Sequence, residues 1–159
     1  MTDSEARTNV KDAIASLNLI FERLMRLSGN PRLGLPVMPE ALAAMNDDDA
    51  VRLHGFLRLF EQLHQLLERR VFRGILALSF EDATMSVRNM TDRLEKLGAI
   101  ESSDVWRELG KVRNALAHDY PANYELHAKR VNDSFAALND IRRAALDAVA
   151  YIEREGLLR

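Results

Sequence analysis

The stretch Asp49–Leu78, DAVRLHGFLRLFEQLHQLLERRVFRGILAL, decides the fold. Leu53, Phe56, Leu57, Phe60, Leu63, Leu67, Val71, Ile75 and Leu78 recur at spacings of three and four, one continuous apolar stripe of a helix. At 1.5 Å per residue the stripe is roughly 45 Å long. Gly55 and Gly74 lie inside this helix, each costing about 1 kcal/mol against Ala. The sequence therefore predicts another backbone packed close at both. The acidic run Asp47-Asp48-Asp49 marks its start, because carboxylates are favoured at the positive end of the helix dipole.

The same periodicity extends in both directions. Upstream, Val10, Ile14, Leu17, Ile20, Phe21, Leu24 and Leu27 share one face of a helix that Ser28-Gly29-Asn30-Pro31 ends. A loop through Gly34, Pro36 and Pro39 then leads to a short helix at 40–45. Downstream, a helix is predicted over about 82–97, with Val87, Met90, Leu94 and Leu97 inward and Gly98 as its C-cap. The next opens at Ser102 or Ser103, carries Trp106, Leu109, Val112 and Leu116, and ends near His118, because Pro121 disfavours helical geometry at Tyr120. A last helix is predicted over about 124–155 and stops at Gly156. With 7 Gly and 4 Pro in 159 residues and no strand-like alternation, the expected fold is all-α, an up-and-down bundle of about five helices in a single domain spanning 1–159.

Composition narrows the chemistry. Apolar residues are 47 % and charged residues 29 %, the balance of a globular domain. Without cysteine there is no disulfide framework, thiolate metal site or Cys nucleophile. No apolar run approaches the roughly 18 residues of a membrane span, and no leader pattern is evident, so the expected location is the cytoplasm, without a membrane partner. The 22 Lys+Arg against 24 Asp+Glu give a net charge of −2, so any nucleic-acid contact must be local. No DNA partner is expected. His54, His64, His118 and His127 contain no His-x-x-x-His pair, and there is no phosphate-binding glycine loop or Gly-x-Ser-x-Gly elbow. Neither a metal nor another cofactor is expected.

What remains is RNALAHDYP, Arg113–Pro121. Asn114 and His118 are four apart, on one helical face, so the amide can orient the imidazole. Arg113 lies about 140° round the helix from His118, but its long side chain can bend into the same cleft. Tyr120 follows at the helix end. An Arg–His spacing of this kind is weak by itself, since Arg58…His64 is a second instance; His64 lies beside the apolar stripe and reads as a helix-flank residue.

The full string resembles the signature of the HEPN superfamily, and within it the HepT-like branch: Arg113, the polar Asn114, His118, Asp119 and Tyr120. The resemblance runs from about residue 50 to 150, through RLFEQLHQLLERRVF and RLEKLGAI, while the stretch over about 28–49 is an insertion relative to compact members. It implies a homodimer whose motif helices meet at a cleft and form a metal-independent endoribonuclease. It also implies a toxin–antitoxin pair, in which a minimal nucleotidyltransferase antitoxin adenylylates Tyr120.

The chemistry has a logic of its own. Attack by a 2′-hydroxyl needs a base, an acid for the leaving oxygen and positive charge for the phosphorane. A two-fold dimer supplies two copies of His118 for the proton transfers and two of Arg113 for the phosphate. Asn114 then holds the imidazole or a phosphate, and Asp119 tunes the histidine. Lys111, Arg107 and Arg130 are candidates for a basic rim. The alternative is a non-catalytic, substrate-binding partner subunit of a nucleotidyltransferase, towards which the acidic balance leans. A plain helical interaction domain is the third reading.

Overall fold

The computed structural model describes residues 2–119 and 122–159, and among these every regular element is helical. Helix α1 is Asp3–Ser28. At its start the Thr2 hydroxyl accepts from the Glu5 amide (3.3 Å) while the Glu5 carboxylate accepts from the Thr2 amide (2.7 Å), a reciprocal cap. The short α2 is Pro39–Ala43. Helix α3, Asp47–Leu66, opens on Asn46, whose side chain accepts from the Asp49 amide at 2.9 Å. The three aspartates fill its first turn, where the sequence puts them.

The long helix does run to Leu78, but not as one regular coil. Leu67–Phe72 forms a π-helical turn before α4 resumes over Arg73–Leu78. The widened turn sits where Trp106 docks: the indole N–H donates to Glu68 Oε2 at 3.1 Å, and Phe72 meets the indole edge-on at 4.6 Å between ring centres. Helix α1 lies antiparallel to this whole rod, with Val10 opposite Gly74 and Leu27 opposite Gly55. A Cβ at Gly74 would stand 2.2 Å from Val10 Cγ2, so α1 does press close there, but through a side chain and not through its backbone. At Gly55 the nearest atom, Leu27 Cδ1, would be 3.9 Å away, an ordinary contact that does not require glycine.

Helix α5, Val87–Leu97, starts five residues later than the sequence suggests. Asp82 accepts from both the amide (2.8 Å) and the hydroxyl (2.6 Å) of Thr84, closing an Asx turn that competes with helix. Arg73 then clamps the loop by donating to the carbonyls of Ala83 (2.6 Å) and Met85 (3.1 Å). Gly98, at φ +78°, ends α5 in the left-handed conformation that glycine supplies at least cost.

Helix α6, Ser103–Leu116, is capped by the Ser102 hydroxyl, which accepts from the Val105 amide at 3.2 Å. The single final helix expected from the sequence is two, α7 (Tyr124–Ala136) and α8 (Leu138–Arg154), interrupted at Ala137. Just before the interruption Ser134 Oγ donates back to the Arg130 carbonyl at 2.9 Å, a contact that competes with the helical ladder.

Apolar faces of all these helices meet in one core, with Phe56, Phe60, Leu63, Leu67, Phe72, Ile75, Leu94 and Trp106 almost wholly buried. The 28–49 stretch belongs to it. Leu33, Val37 and Leu42 are buried, and Asn132 of α7 brackets Val37, its carboxamide accepting from the amide (2.7 Å) and donating to the carbonyl (2.8 Å). Among the described residues, no helix is long and apolar enough to cross a membrane.

Candidate functional site

The site is set by how α6 lies on α3. The two helices run antiparallel: Trp106 meets His64 and Glu68, Arg113 and Asn114 come beside Glu61 and Gln65, and Leu116 and Asp119 reach His54 and Arg58. Trp106 fixes the register. Its indole stacks on the His64 ring, 4.4 Å between centres and 15° from parallel, and Phe72 closes the other approach.

His64 is therefore no flank residue but part of the core, 2 % exposed, with Nε2 lacking a hydrogen-bond partner. Burial first, and then the nearby Arg113 guanidinium, lower its pKa from the ordinary 6.5 to about 4. At neutral pH this imidazole is uncharged, which is the only form that its site, walled by an indole and facing a cation, can hold cheaply.

About two turns further along α6 the surroundings change. Arg113, Asn114, Ala117 and His118 line one side of an open groove of about 510 Å³, and Glu61 and Gln65 of α3 line the other. The spacing argument that Arg113 can reach the His118 cleft despite its angular offset thus describes the structure. Leu116 ends α6, and His118 lies on the turn that follows, its amide donating to the Ala115 carbonyl at 3.1 Å and its side chain exposed. Asn114 shares the groove, but its carboxamide oxygen accepts from Arg113 Nη1 at 2.9 Å. It organises the guanidinium, not the ring.

Asp119 turns away from His118. Its Oδ2 is 2.6 Å from Nδ1 of His127 on α7; the Asp119 side chain is 11 % exposed and the His127 ring is buried. The pair ties the end of α6 to the first turns of α7 and so fixes the backbone that carries His118. The His127 ring in turn lies 5.9 Å from that of His54 on α3. Tyr120, the expected modification site, lies outside the described residues.

The suggested basic rim is largely neutralised. Arg107 pairs with Asp92 (3.0 Å) and with Asp104, and Lys111 with Glu108 (2.7 Å). The Arg130 Nε is buried without a partner. Among the described residues, no group of three or more His, Asp or Glu side chains is arranged to hold a metal ion.

Sequence reasoning missed the α3 side of the site. His54, Glu61 and Gln65 are seven and four residues apart, about two turns and one turn, so they share a face of α3. That polar stripe beside the apolar one was the available signal. The His127–Asp119 pair, eight residues apart across a turn, had none. Comparison of the chain with protein-family models, with curated proteins and with solved structures finds no match in any of the three.

Proposed function

We propose that this protein is a metal-independent endoribonuclease of the HEPN, HepT-like kind, acting as the toxin of a toxin–antitoxin pair. One observation supports this above the rest. The cation Arg113 and the exposed imidazole of His118 line one open groove at a helix end, the pair of groups that phosphodiester cleavage by a neighbouring 2′-hydroxyl requires.

In this reading His118 of one protomer removes the proton from the 2′-hydroxyl. His118 of the partner subunit protonates the leaving 5′-oxygen, which makes the homodimer part of the reaction. Arg113, steadied by Asn114, takes the charge that builds on the phosphoryl oxygens. Asp119 serves at one remove, holding the turn through His127. A nucleotidyltransferase antitoxin silences the site by transferring an adenylyl group from ATP to the Tyr120 hydroxyl, with release of pyrophosphate. The added phosphate, carried two residues after His118 in the chain, brings negative charge that opposes the binding of RNA.

A second reading, a non-catalytic partner subunit that presents substrate to a nucleotidyltransferase, draws on the Glu61 carboxylate in the same groove and on the net charge of −2. Both weaken the attraction of the groove for a polyanion.

Expression in a bacterial host separates the two. The toxin reading predicts growth arrest that His118→Ala and Arg113→Ala each relieve, and that co-expression of a cognate nucleotidyltransferase relieves with a mass increase on Tyr120. Arrest unchanged by both substitutions would remove the assigned site. Protein shown by intact mass to be unmodified that neither arrests growth nor cuts RNA would favour the partner subunit.

A further inference from the structure

The groove of Arg113 and His118 lies between α3 and α6, and a second groove lies on the opposite side of the bundle. Going round the core, α1 packs on α3, α3 on α6 and α6 on α8. Close packing of α8 on α1 does not complete the circuit. Instead these two helices leave between them a groove of about 370 Å³. It is apolar along its length. Leu17 and Ala145 are buried at its floor, Phe21 and Val149 are half-buried on its sides, and Met25 and Leu146 stand at its edges, 44 % and 58 % exposed.

Two neighbouring helices that turn apolar side chains outward into a shared groove form half of a four-helix arrangement, because the ridges of another helix pair fill such a groove. Contiguous exposed apolar surface of this kind marks a contact. The charges show with what. Glu22 on α1 and Arg142 on α8 border the groove from opposite helices, both exposed and, among the described residues, without an ion-pair partner. Other arginines of the helical surface, Arg93, Arg107 and Arg143, each have a carboxylate. One free charge of each sign supplies neither the positive field that draws a polyanion or an anionic lipid surface nor the negative field that draws a basic peptide. The groove is instead complementary to itself. A two-fold axis passing between the two helices sets Glu22 of one copy against Arg142 of the partner subunit, and does so twice.

We infer that the α1/α8 groove is an isologous interface with a second copy of this chain. Met25 and Leu146 of each copy fill the groove of the other, and Glu22 pairs with Arg142 across the axis. This contact is separate from the dimer of the ribonuclease reading, whose axis runs beside Arg113 and His118 on the opposite face, and it does not rest on that reading. A chain that makes both contacts assembles beyond the dimer.

Sedimentation velocity of the full-length protein over a concentration series tests the inference. The wild type should associate. Leu146→Glu, at an exposed position where the fold accepts a charge, should raise the dissociation constant of one association step at least about thirtyfold, as for loss of a central anchor side chain. Glu22→Arg and Arg142→Glu should each weaken the same step about tenfold by setting like charges against each other, and the double variant, with the signs exchanged, should recover it. All four variants should keep the helicity of the wild type. A wild type that stays monomeric at every concentration, or an association that Leu146→Glu leaves unchanged, would overturn the inference. A double variant as weak as the single ones would overturn the two-fold pairing on which the choice of a second copy rests.

RNA cleavage separates this failure from that of the ribonuclease reading. Cutting that depends on His118, by a protein whose association ignores Leu146→Glu, sinks the interface and leaves the ribonuclease. Association that Leu146→Glu weakens, in a protein that cuts no RNA, sinks the ribonuclease and leaves the interface.

Discussion

Two stretches of this chain carry nearly the same pair of residues: Arg58 and His64, six apart on α3, and Arg113 and His118, five apart at the end of α6. In the first the imidazole is stacked beneath Trp106, kept neutral, and directed into the core, while its arginine points to solvent and pairs with Glu61. In the second the helix stops between the two residues, so the imidazole stands exposed on a turn and the arginine leans into the groove beside it. Spacing is common to both; what differs is where each helix ends and which face is already taken by apolar contacts. Chemistry is available only at the helix end.

The largest effect that can break this contrast is on cleavage. His118→Ala should lower RNA cutting by about 10²–10⁴-fold, the usual contribution of a positioned acid or base. His64→Leu, which keeps an apolar side chain against Trp106, should leave cutting within a fewfold range. Equal losses in the two variants, measured on proteins of equal helicity, would erase the distinction between the histidines. Next comes Arg113→Ala, expected to cost about 10²–10³-fold, as for removal of one donor to a developing negative charge.

Acid stability sharpens the comparison from the other side. A His64 pKa of about 4 in the fold, against 6.5 when unfolded, means that between these values the unfolded chain binds a proton that the folded chain refuses. Stability is therefore undiminished above pH 6.5 and falls as the pH drops from 6.5 towards 4, by about 3 kcal/mol for this residue. Denaturant unfolding at a series of pH values should show that slope, and His64→Leu should flatten it; an identical slope in the variant would place the titrating group elsewhere.

A smaller effect concerns the frame. Gly74→Ala forces a methyl group into Val10 and should cost about 1–3 kcal/mol, whereas Gly55→Ala, with room at Leu27, should be neutral or mildly stabilising. Equal midpoints in thermal unfolding would contradict the packing assigned to α1.

Most of the frame was legible because helical burial leaves a period in the sequence. Val10, Leu17, Leu24, Leu53, Phe60, Leu63, Met90 and Leu94 all fall on the faces that their spacing indicates. The exceptions are local. Neither the π turn at Leu67–Phe72 nor the interruption at Ala137 disturbs the apolar period, and the start of α5 was displaced by an Asx turn whose residues read equally well as a first helical turn. In the candidate site, Arg113, Asn114 and His118 could be placed together from spacing alone, since one helix end carries them all. Asp119 could not. Its partner, His127, comes from a different helix, and only tertiary packing decides which of two nearby histidines a carboxylate meets.

The most direct test of the central claim is the chemistry of the cut ends. End-labelled RNA is incubated, in excess chelator, with wild-type protein that intact mass shows to be unmodified, and with the His118→Ala variant. The account predicts fragments ending in a 2′,3′-cyclic phosphate and beginning with a 5′-hydroxyl, formed by the wild type and lost in the variant. Intact RNA with the wild type, or the same fragments from both proteins, would contradict it.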